Sequence, residues 1–240
     1  MKFQNRNSAG LLLGKEIEKI LIDQSESKII SNILVVGLPR GGMPVAFAVA
    51  QRLKCALDII VAKKLPYPGQ PEYAIGAVSS DGVVELDPAI PHDFHWQAYI
   101  DTQRQELLIK TRESESRFRQ LAGVEELSLE NKTVIIVDDG IATGMTVKAA
   151  IKSAKLRGCS HLIVAAPAMS YESYLELQSL CDQVIALITP DRFGAVGQYY
   201  VNFAQTSDQE VIAALRDNRS KCRPPYIPFD NKSNVHSHHS

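Results

Sequence analysis

Two adjacent carboxylates, Asp138 and Asp139, end the apolar run at 134–137, and a loop rich in glycine and threonine follows them at once, Gly140-Ile141-Ala142-Thr143-Gly144-Met145-Thr146. An acid-ended strand that feeds a helix through such a loop offers two chemistries in one place. The carboxylates can hold hydroxyls or a divalent ion. The free backbone N–H groups of the turn and helix start, from Ala142 to Thr146, carry partial positive charge and can hold a phosphate. Gly140 and Gly144 permit close approach to the backbone, and the hydroxyls of Thr143 and Thr146 can donate to phosphate oxygens. A second loop, Leu38-Pro39-Arg40-Gly41-Gly42, closes the apolar run at 33–37 and opens another helix. Two lysines, Lys63 and Lys64, lie in the next apolar run, where adjacent strand residues face opposite sides.

Residues so far apart meet only if the fold brings their strand ends together. Leu12, Ile17, Ile20 and Leu21 form one stripe of a helix over 11–28. ILVVG at 33–37 reads as a buried strand, and MPVAFAVAQRL from 43 as the helix after it. LDIIVAKKL at 57–65 repeats the buried-strand pattern, PYPGQP at 66–71 reads as a loop, and two strands from Tyr73 to Leu86 turn at Asp81-Gly82, a hairpin signal. From Asp93 to Leu121 the chain is charged and free of Gly and Pro, which predicts one long or broken helix. Strand, loop and helix follow over 132–158, then strand, helix and strand. A last helix spans 205–218, capped from Thr206 or Ser207, with Glu210 placed for a capping box on Ser207. Repeated βα units predict an α/β, three-layer fold with a mostly parallel central sheet, an antiparallel hairpin excursion and sites at the carboxyl ends of its strands. One domain over 1–216 and an irregular, flexible tail over 217–240 complete the expected organisation.

Composition narrows the function classes. The 240 residues are 45% hydrophobic, enough for a sizeable core, and 26 Lys+Arg against 27 Asp+Glu leave no bulk positive field for a nucleic-acid backbone or an anionic bilayer. Any bound anion must therefore be held locally. MKFQNRNSAG contains no apolar signal core, and no run reaches the roughly 18 apolar residues of a spanning helix, so a cytoplasmic, membrane-free location is expected. Cys55, Cys159, Cys181 and Cys222 lack metal or disulfide spacing and read as reduced structural thiols. His92 and His95 read as a helix start, and His236, His238 and His239 as a frayed end. No P-loop, dinucleotide fingerprint, zinc-protease or nucleophile-elbow motif occurs.

VIIVDDGIATGMT at 134–146 resembles the phosphoribosyl-diphosphate signature of the type I phosphoribosyltransferases. With VGLPRGGMPVA, LDIIVAKKL, PEYAIGAV and PDRFGAVGQYYVNFAQTSDQEV, the likeness covers about residues 10–216 and is closer to an uncharacterised bacterial subgroup, found as single domains or fused to hydrolase-like domains. The resemblance implies a five-stranded parallel core and a small hood that selects the acceptor. It implies that Asp138 and Asp139 hold the ribose 2- and 3-hydroxyls, directly or through Mg²⁺, and that Ala142, Thr143, Gly144, Met145 and Thr146 wrap the 5-phosphate. Leu38, Pro39, Arg40, Gly41 and Gly42 would bind pyrophosphate, often around a non-proline cis peptide, with Arg40 and Lys63 or Lys64 offsetting the charge of the leaving group. Asp191, Arg192, Phe193 and Tyr199 follow the last strand and are acceptor candidates, their aromatic rings suited to a planar base. Tyr200 and Phe203 read equally as packing. Glu72 is a weaker candidate for a base. Gly140 departs from the family, which places a larger apolar residue there.

The activity implied is transfer of the 5-phosphoribosyl group from phosphoribosyl diphosphate to a nitrogenous, nucleobase-like acceptor, with Mg²⁺ as cofactor and a homodimer or higher homo-oligomer as the assembly. The alternative is a non-catalytic sensor of phosphoribosyl diphosphate, regulatory or nucleic-acid-binding, for which Arg104, Lys110, Arg112, Arg117 and Arg119 would supply a basic helix face. A third is a hydrolase with water as acceptor.

Overall fold

The computed structural model describes residues 2–23, 32–91 and 93–221. Five parallel strands form the central sheet in the order β2-β1-β6-β7-β8: β1 (Ile33–Gly37), β2 (Ala56–Ile59), β6 (Thr133–Val137), β7 (His161–Ala168) and β8 (Gln183–Ile188). Their near-continuous apolar composition follows from burial on both faces. Alternate residues divide between two cores. Val35, Leu57, Ile135, Ile163 and Ile185 pack toward α1 (Arg6–Asp23), α2 (Gly42–Leu53), the end of α3 (Phe94–Ala122) and α6 (Asp208–Lys221). Leu34, Val36, Val134, Ile136, Leu162, Val164 and Val184 pack toward α4 (Met145–Leu156) and α5 (Tyr171–Gln178). The expected three layers are present.

Strands β3 (Ala62–Tyr67), β4 (Gln70–Ser79) and β5 (Val84–Leu86) make the antiparallel excursion, a separate sheet in the order β3-β4-β5. One face, with Leu65, Ile75 and Val78, packs on Ile100 and Leu107 of α3. The other meets α4, where Ala62 and Ala77 touch Met145 and Ala149.

Several boundaries differ from those the sequence predicts. The run 57–65 is not one strand: pairing in the parallel sheet ends at Ile59, and after Ile60 and Val61 the chain enters β3. PYPGQP is not a loop either. It is the tip of the β3–β4 hairpin, with Tyr67 paired to Gln70 across Pro68-Gly69. Gly69 has φ +75°, a conformation that a glycine adopts without steric cost. Helix α1 begins at Arg6, and its buried stripe is Leu13, Ile17 and Leu21, whereas Leu12 is exposed. The long helix is unbroken, with the Asp93 side chain accepting from the Trp96 N–H at its start. Helix α6 runs past residue 216 to Lys221, because Asn218 is buried and bonds the Leu57 N–H and the Cys55 carbonyl. The Ser207–Glu210 capping box forms as expected, each residue's side chain accepting from the other's backbone N–H. Cys159 and Cys181 are free thiols, whereas Cys222, His92, His236, His238, His239 and most of the tail lie outside the described residues.

The core sheet and the hairpin sheet are joined by a buried ionic cluster. Arg119 donates through Nε to Asp58 Oδ1 at 3.0 Å, through Nη1 to Glu115 Oε1 at 2.8 Å and through Nη2 to the Ile59 carbonyl at 3.1 Å. Glu115 Oε2 accepts from the Val61 N–H and the Ser80 hydroxyl, and Asp58 Oδ2 from the Leu127 N–H. Charges at this depth are tolerated because each has several partners. Arg119→Met is therefore expected to lower the free energy of unfolding by about 3–5 kcal/mol, since it strands two buried carboxylates. Urea unfolding measures this, and a loss below about 1 kcal/mol would show that apolar packing alone holds the sheets together.

Candidate functional site

Strands β1 and β6 are neighbours in register, Gly37 opposite Val137, so the loops that leave their carboxyl ends lie side by side. The contact between them is intimate. A Cβ on Gly41 would lie 2.2 Å from Asp139 Oδ2, and one on Gly42 would lie 2.9 Å from Asp138 Oδ1. The 38–42 loop can rest on the acidic pair only because both positions lack a side chain. The Leu38 N–H bonds the Val137 carbonyl at 3.1 Å, and the Pro39–Arg40 peptide is cis.

The loop beyond Asp139 is tied down on its far side. Ile141 bridges to β7 through the Ala168 carbonyl and the Ser170 N–H, both at 2.9 Å, and the hydroxyls of Ser170 and Ser173 donate to the Ala142 carbonyl at 2.7 and 2.8 Å. Ala142 and Thr143 are exposed, Thr146 is half-buried, and Gly144 takes a left-handed conformation at φ 68° as the N-cap of α4. The Gly144 N-cap offers no side chain to the first N–H groups of α4, and such unpaired groups at a helix start suit an anion. Lys148, buried beneath the loop with its ammonium on Glu176, was not among the residues singled out from sequence.

Both carboxylates are held by neighbours. Asp138 Oδ1 accepts from the Asp139 N–H at 2.8 Å. Burial, and after it the Asp139 charge, push the Asp138 carboxyl well above the ordinary range. Burial raises Asp139 too, although its bond and attraction to Arg6 pull it back. Arg6 reaches Asp139 Oδ2 from the first turn of α1 with Nε at 2.7 Å. The Tyr200 hydroxyl donates to the Asp139 carbonyl at 2.6 Å, with burial pushing this phenol upward so that it stays a donor. Arg6 and Tyr200 thus join the site; the spacing of residues gave no signal for Arg6, which lies 133 positions from its partner.

The remaining candidates occupy different places. Arg40 is turned toward α6, 3.5 Å from Asp208 Oδ1, and not onto the acidic pair. Lys63 and Lys64 lie on β3, opposite Val78 and Ala77. Lys64 shares the sheet face of Ala62, which packs on the start of α4, whereas Lys63 shares that of Leu65, which packs on α3. Asp191 and Arg192 are exposed, and the half-buried rings of Phe193 and Tyr199 pack with centroids 4.9 Å apart. Their segment touches the acidic loop through Val196, whose side chain would be 2.5 Å from a Cβ on Gly140. Val196 fills the place of the apolar side chain that position 140 lacks. The Glu72 side chain lies outside the described residues. The basic residues of α3 have partners: Arg104 bonds the Gly82 carbonyl, Arg112 the Ser80 carbonyl, Lys110 pairs with Glu106, Arg117 with Asp208, and Arg119 is buried. Among the described residues no helix is long and apolar enough to cross a membrane.

Comparison with known proteins gives a consistent picture. The family model described as "Phosphoribosyl transferase domain" matches residues 9–204. Two Mycobacterium tuberculosis proteins, from strains CDC 1551 and H37Rv and each named "Putative phosphoribosyl transferase", are 42% identical over 184 residues, covering 76% of this chain and 41% of the relative. The chain therefore spans about two fifths of the length of these relatives. A crystal structure from Thermus thermophilus superposes with a TM-score of 0.74 at 33% identity, covering 90% of this chain and 99% of that one.

The raised Asp138 carboxyl has a consequence for stability. A carboxyl whose value in the fold exceeds the unfolded value of about 3.9 binds its proton more tightly when folded, so its contribution to stability falls as pH rises between the two values. Asp138→Asn is expected to raise the melting temperature at pH 7.5 by about 2–4 °C, with the gain vanishing toward pH 4; melts across that range test this, and an equal or lower melting temperature at pH 7.5 would refute it.

Proposed function

As the chain belongs to the phosphoribosyl transferase domain family, we propose that it transfers the 5-phosphoribosyl group of phosphoribosyl diphosphate to a nitrogen of a small, planar acceptor. The observation that carries this reading is the contact of Gly41 and Gly42 with Asp139 and Asp138, which sets a bare-backbone loop against two carboxylates beside an uncapped helix start. That combination suits a ligand bearing two hydroxyls between two phosphate groups. Asp138 and Asp139 accept from the ribose 2- and 3-hydroxyls. The N–H groups from Ala142 to Thr146 and the hydroxyls of Thr143 and Thr146 hold the 5-phosphate. Leu38, Pro39, Arg40, Gly41 and Gly42 line the pyrophosphate position.

In the reaction the bond from ribose C1 to the pyrophosphate oxygen breaks with its electron pair on oxygen. The acceptor nitrogen supplies the pair for the new C1–N bond and gives up its proton to solvent or a base. Positive charge develops on the ring between these events, and the two carboxylates beside it stabilise that charge through their field. Lys64, on the sheet face turned to α4, offsets charge on the departing pyrophosphate, as does Arg40 once it leaves Asp208. Phe193 and Tyr199 offer aromatic faces for the acceptor.

The acidic pair fits Mg²⁺. This ion is commonly bound by one or two carboxylates together with substrate phosphates and water, and among the described residues no larger group of acids, histidines or cysteines gathers. Asp138 and the Asp139 oxygen not bound to Arg6 would hold it, and when bound it would supply positive charge to the diphosphate.

The test is pyrophosphate release from phosphoribosyl diphosphate and Mg²⁺ with a panel of purines, pyrimidines, nicotinate-like rings and amines, beside a well without acceptor. Acceptor-dependent release is expected, lowered about a hundredfold or more when Asp138 and Asp139 are both changed to Asn. Release without acceptor would indicate a hydrolase, and wild-type turnover in the double variant would overturn the assignment.

A further inference from the structure

We propose that Arg6 is the positioning residue of the acidic pair, fixing the Asp139 carboxylate for the ribose hydroxyls; this rests on the reading of Asp138 and Asp139 as ribose-binding groups. Three restraints converge on Asp139. Its Oδ2 accepts from Arg6 Nε at 2.7 Å, its carbonyl accepts from the Tyr200 hydroxyl at 2.6 Å, and the same Oδ2 abuts the bare backbone of Gly41. Both side chains of the ion pair are only 12% exposed, so water competes little for either partner.

The guanidinium is itself fixed from several directions. Its Nη1 donates to the Ala204 carbonyl at 2.6 Å, and its carbon lies 3.9 Å above the Phe203 ring centroid. Phe203 stacks on Tyr200 at 5.1 Å and 29°. The residues before Arg6 are paired with the same segment: the Phe3 N–H bonds the Tyr199 carbonyl, the Val201 N–H the Phe3 carbonyl and the Asn202 N–H the Gln4 carbonyl, at 2.7, 2.8 and 3.0 Å. The arm holding Arg6 and the segment beneath it thus form one unit.

Only a planar, forked cation fits this position. A lysine would keep the charge, but it could not lie flat on Phe203 while donating in two fixed directions to Asp139 and Ala204. Without Arg6 the Asp139 carboxylate keeps its like-charged neighbour Asp138 and loses its opposing charge, so it turns away from the position set for the hydroxyls. Losing a hydrogen bond between a ribose hydroxyl and a charged carboxylate costs about tenfold or more in affinity, and the loss falls on ligands that present the ribose. Inorganic pyrophosphate without Mg²⁺, which is met by the 38–42 loop and Lys64 and not by the acidic pair, escapes it.

The experiment measures binding of phosphoribosyl diphosphate, with and without Mg²⁺, and of inorganic pyrophosphate without it, by calorimetry on the full chain and its Arg6→Met, Arg6→Lys and Phe203→Leu variants. Arg6→Met is expected to weaken phosphoribosyl diphosphate binding about tenfold or more and to leave pyrophosphate binding within about twofold, with Arg6→Lys and Phe203→Leu in between. A merely structural role would weaken both ligands together, and that result, or unchanged affinity for phosphoribosyl diphosphate, would overturn the proposal. If Arg6→Met fails to fold, the same difference between ligands is read from Arg6→Lys and Phe203→Leu. Failure of the wild-type chain to bind phosphoribosyl diphosphate would overturn the functional reading and this role with it, whereas wild-type binding unaffected in the variants removes Arg6 alone.

Discussion

The two sheets of the molecule meet at one buried guanidinium. Arg119 answers Asp58 at the end of β2 and Glu115 on its own helix, and Glu115 reaches across to Val61 and Ser80 at the start of the hairpin sheet. A shift of one sheet against the other would separate charges that have no water to fall back on, a loss comparable with much of the roughly 5–15 kcal/mol that holds a typical domain folded. The hairpin sheet consequently keeps a set position above α4, with Ala62 and Ala77 on Met145 and Ala149. Lys64 inherits its location from this junction.

Within that frame the site is built mainly from backbone. β1 and β6 lie side by side, and the loops that follow them interlock because Gly41 and Gly42 leave room for two carboxylates. N–H groups at the start of α4 provide positive potential without a basic surface, which is how a chain of formal net charge -1 can suit a multiply anionic ligand. The acids are crowded and buried at a cost to stability, and the serines beneath Ala142 and the ion pair with Arg6 confine that crowding to one geometry.

Features encoded over a few residues could be read directly. The acid-ended strand with its glycine–threonine loop, the turn at Asp81-Gly82, the long helix behind Asp93 and the Ser207–Glu210 cap all carry their reasons in neighbouring positions. The break after Ile59 does not. Composition there continues as a strand, and only the buried carboxylate of Glu115, far along the chain, captures the Val61 N–H and turns the backbone into the second sheet. PYPGQP shows the reverse, a proline–glycine stretch that pairs because strands on both sides bring it together. Arg40 sits in a readable motif, yet its direction is set by Asp208 on the last helix. Arg6 left no trace, because its partners Asp139, Phe203 and Ala204 meet it only in the folded chain.

The pairing of the N-terminal arm with the segment around Tyr200 also governs the order of assembly. During synthesis the strand end bearing Asp138 and Asp139 emerges well before Tyr200, Phe203 and Ala204, so the acidic pair exists for a time with no fixed counter-charge. All five parallel strands are made before the partners of Phe3, and such distant contacts belong to the slow, non-local part of folding. Closure of this strap therefore needs two segments some two hundred residues apart, and a growing chain can complete the surroundings of its acidic pair only after residues 199–204 have been made.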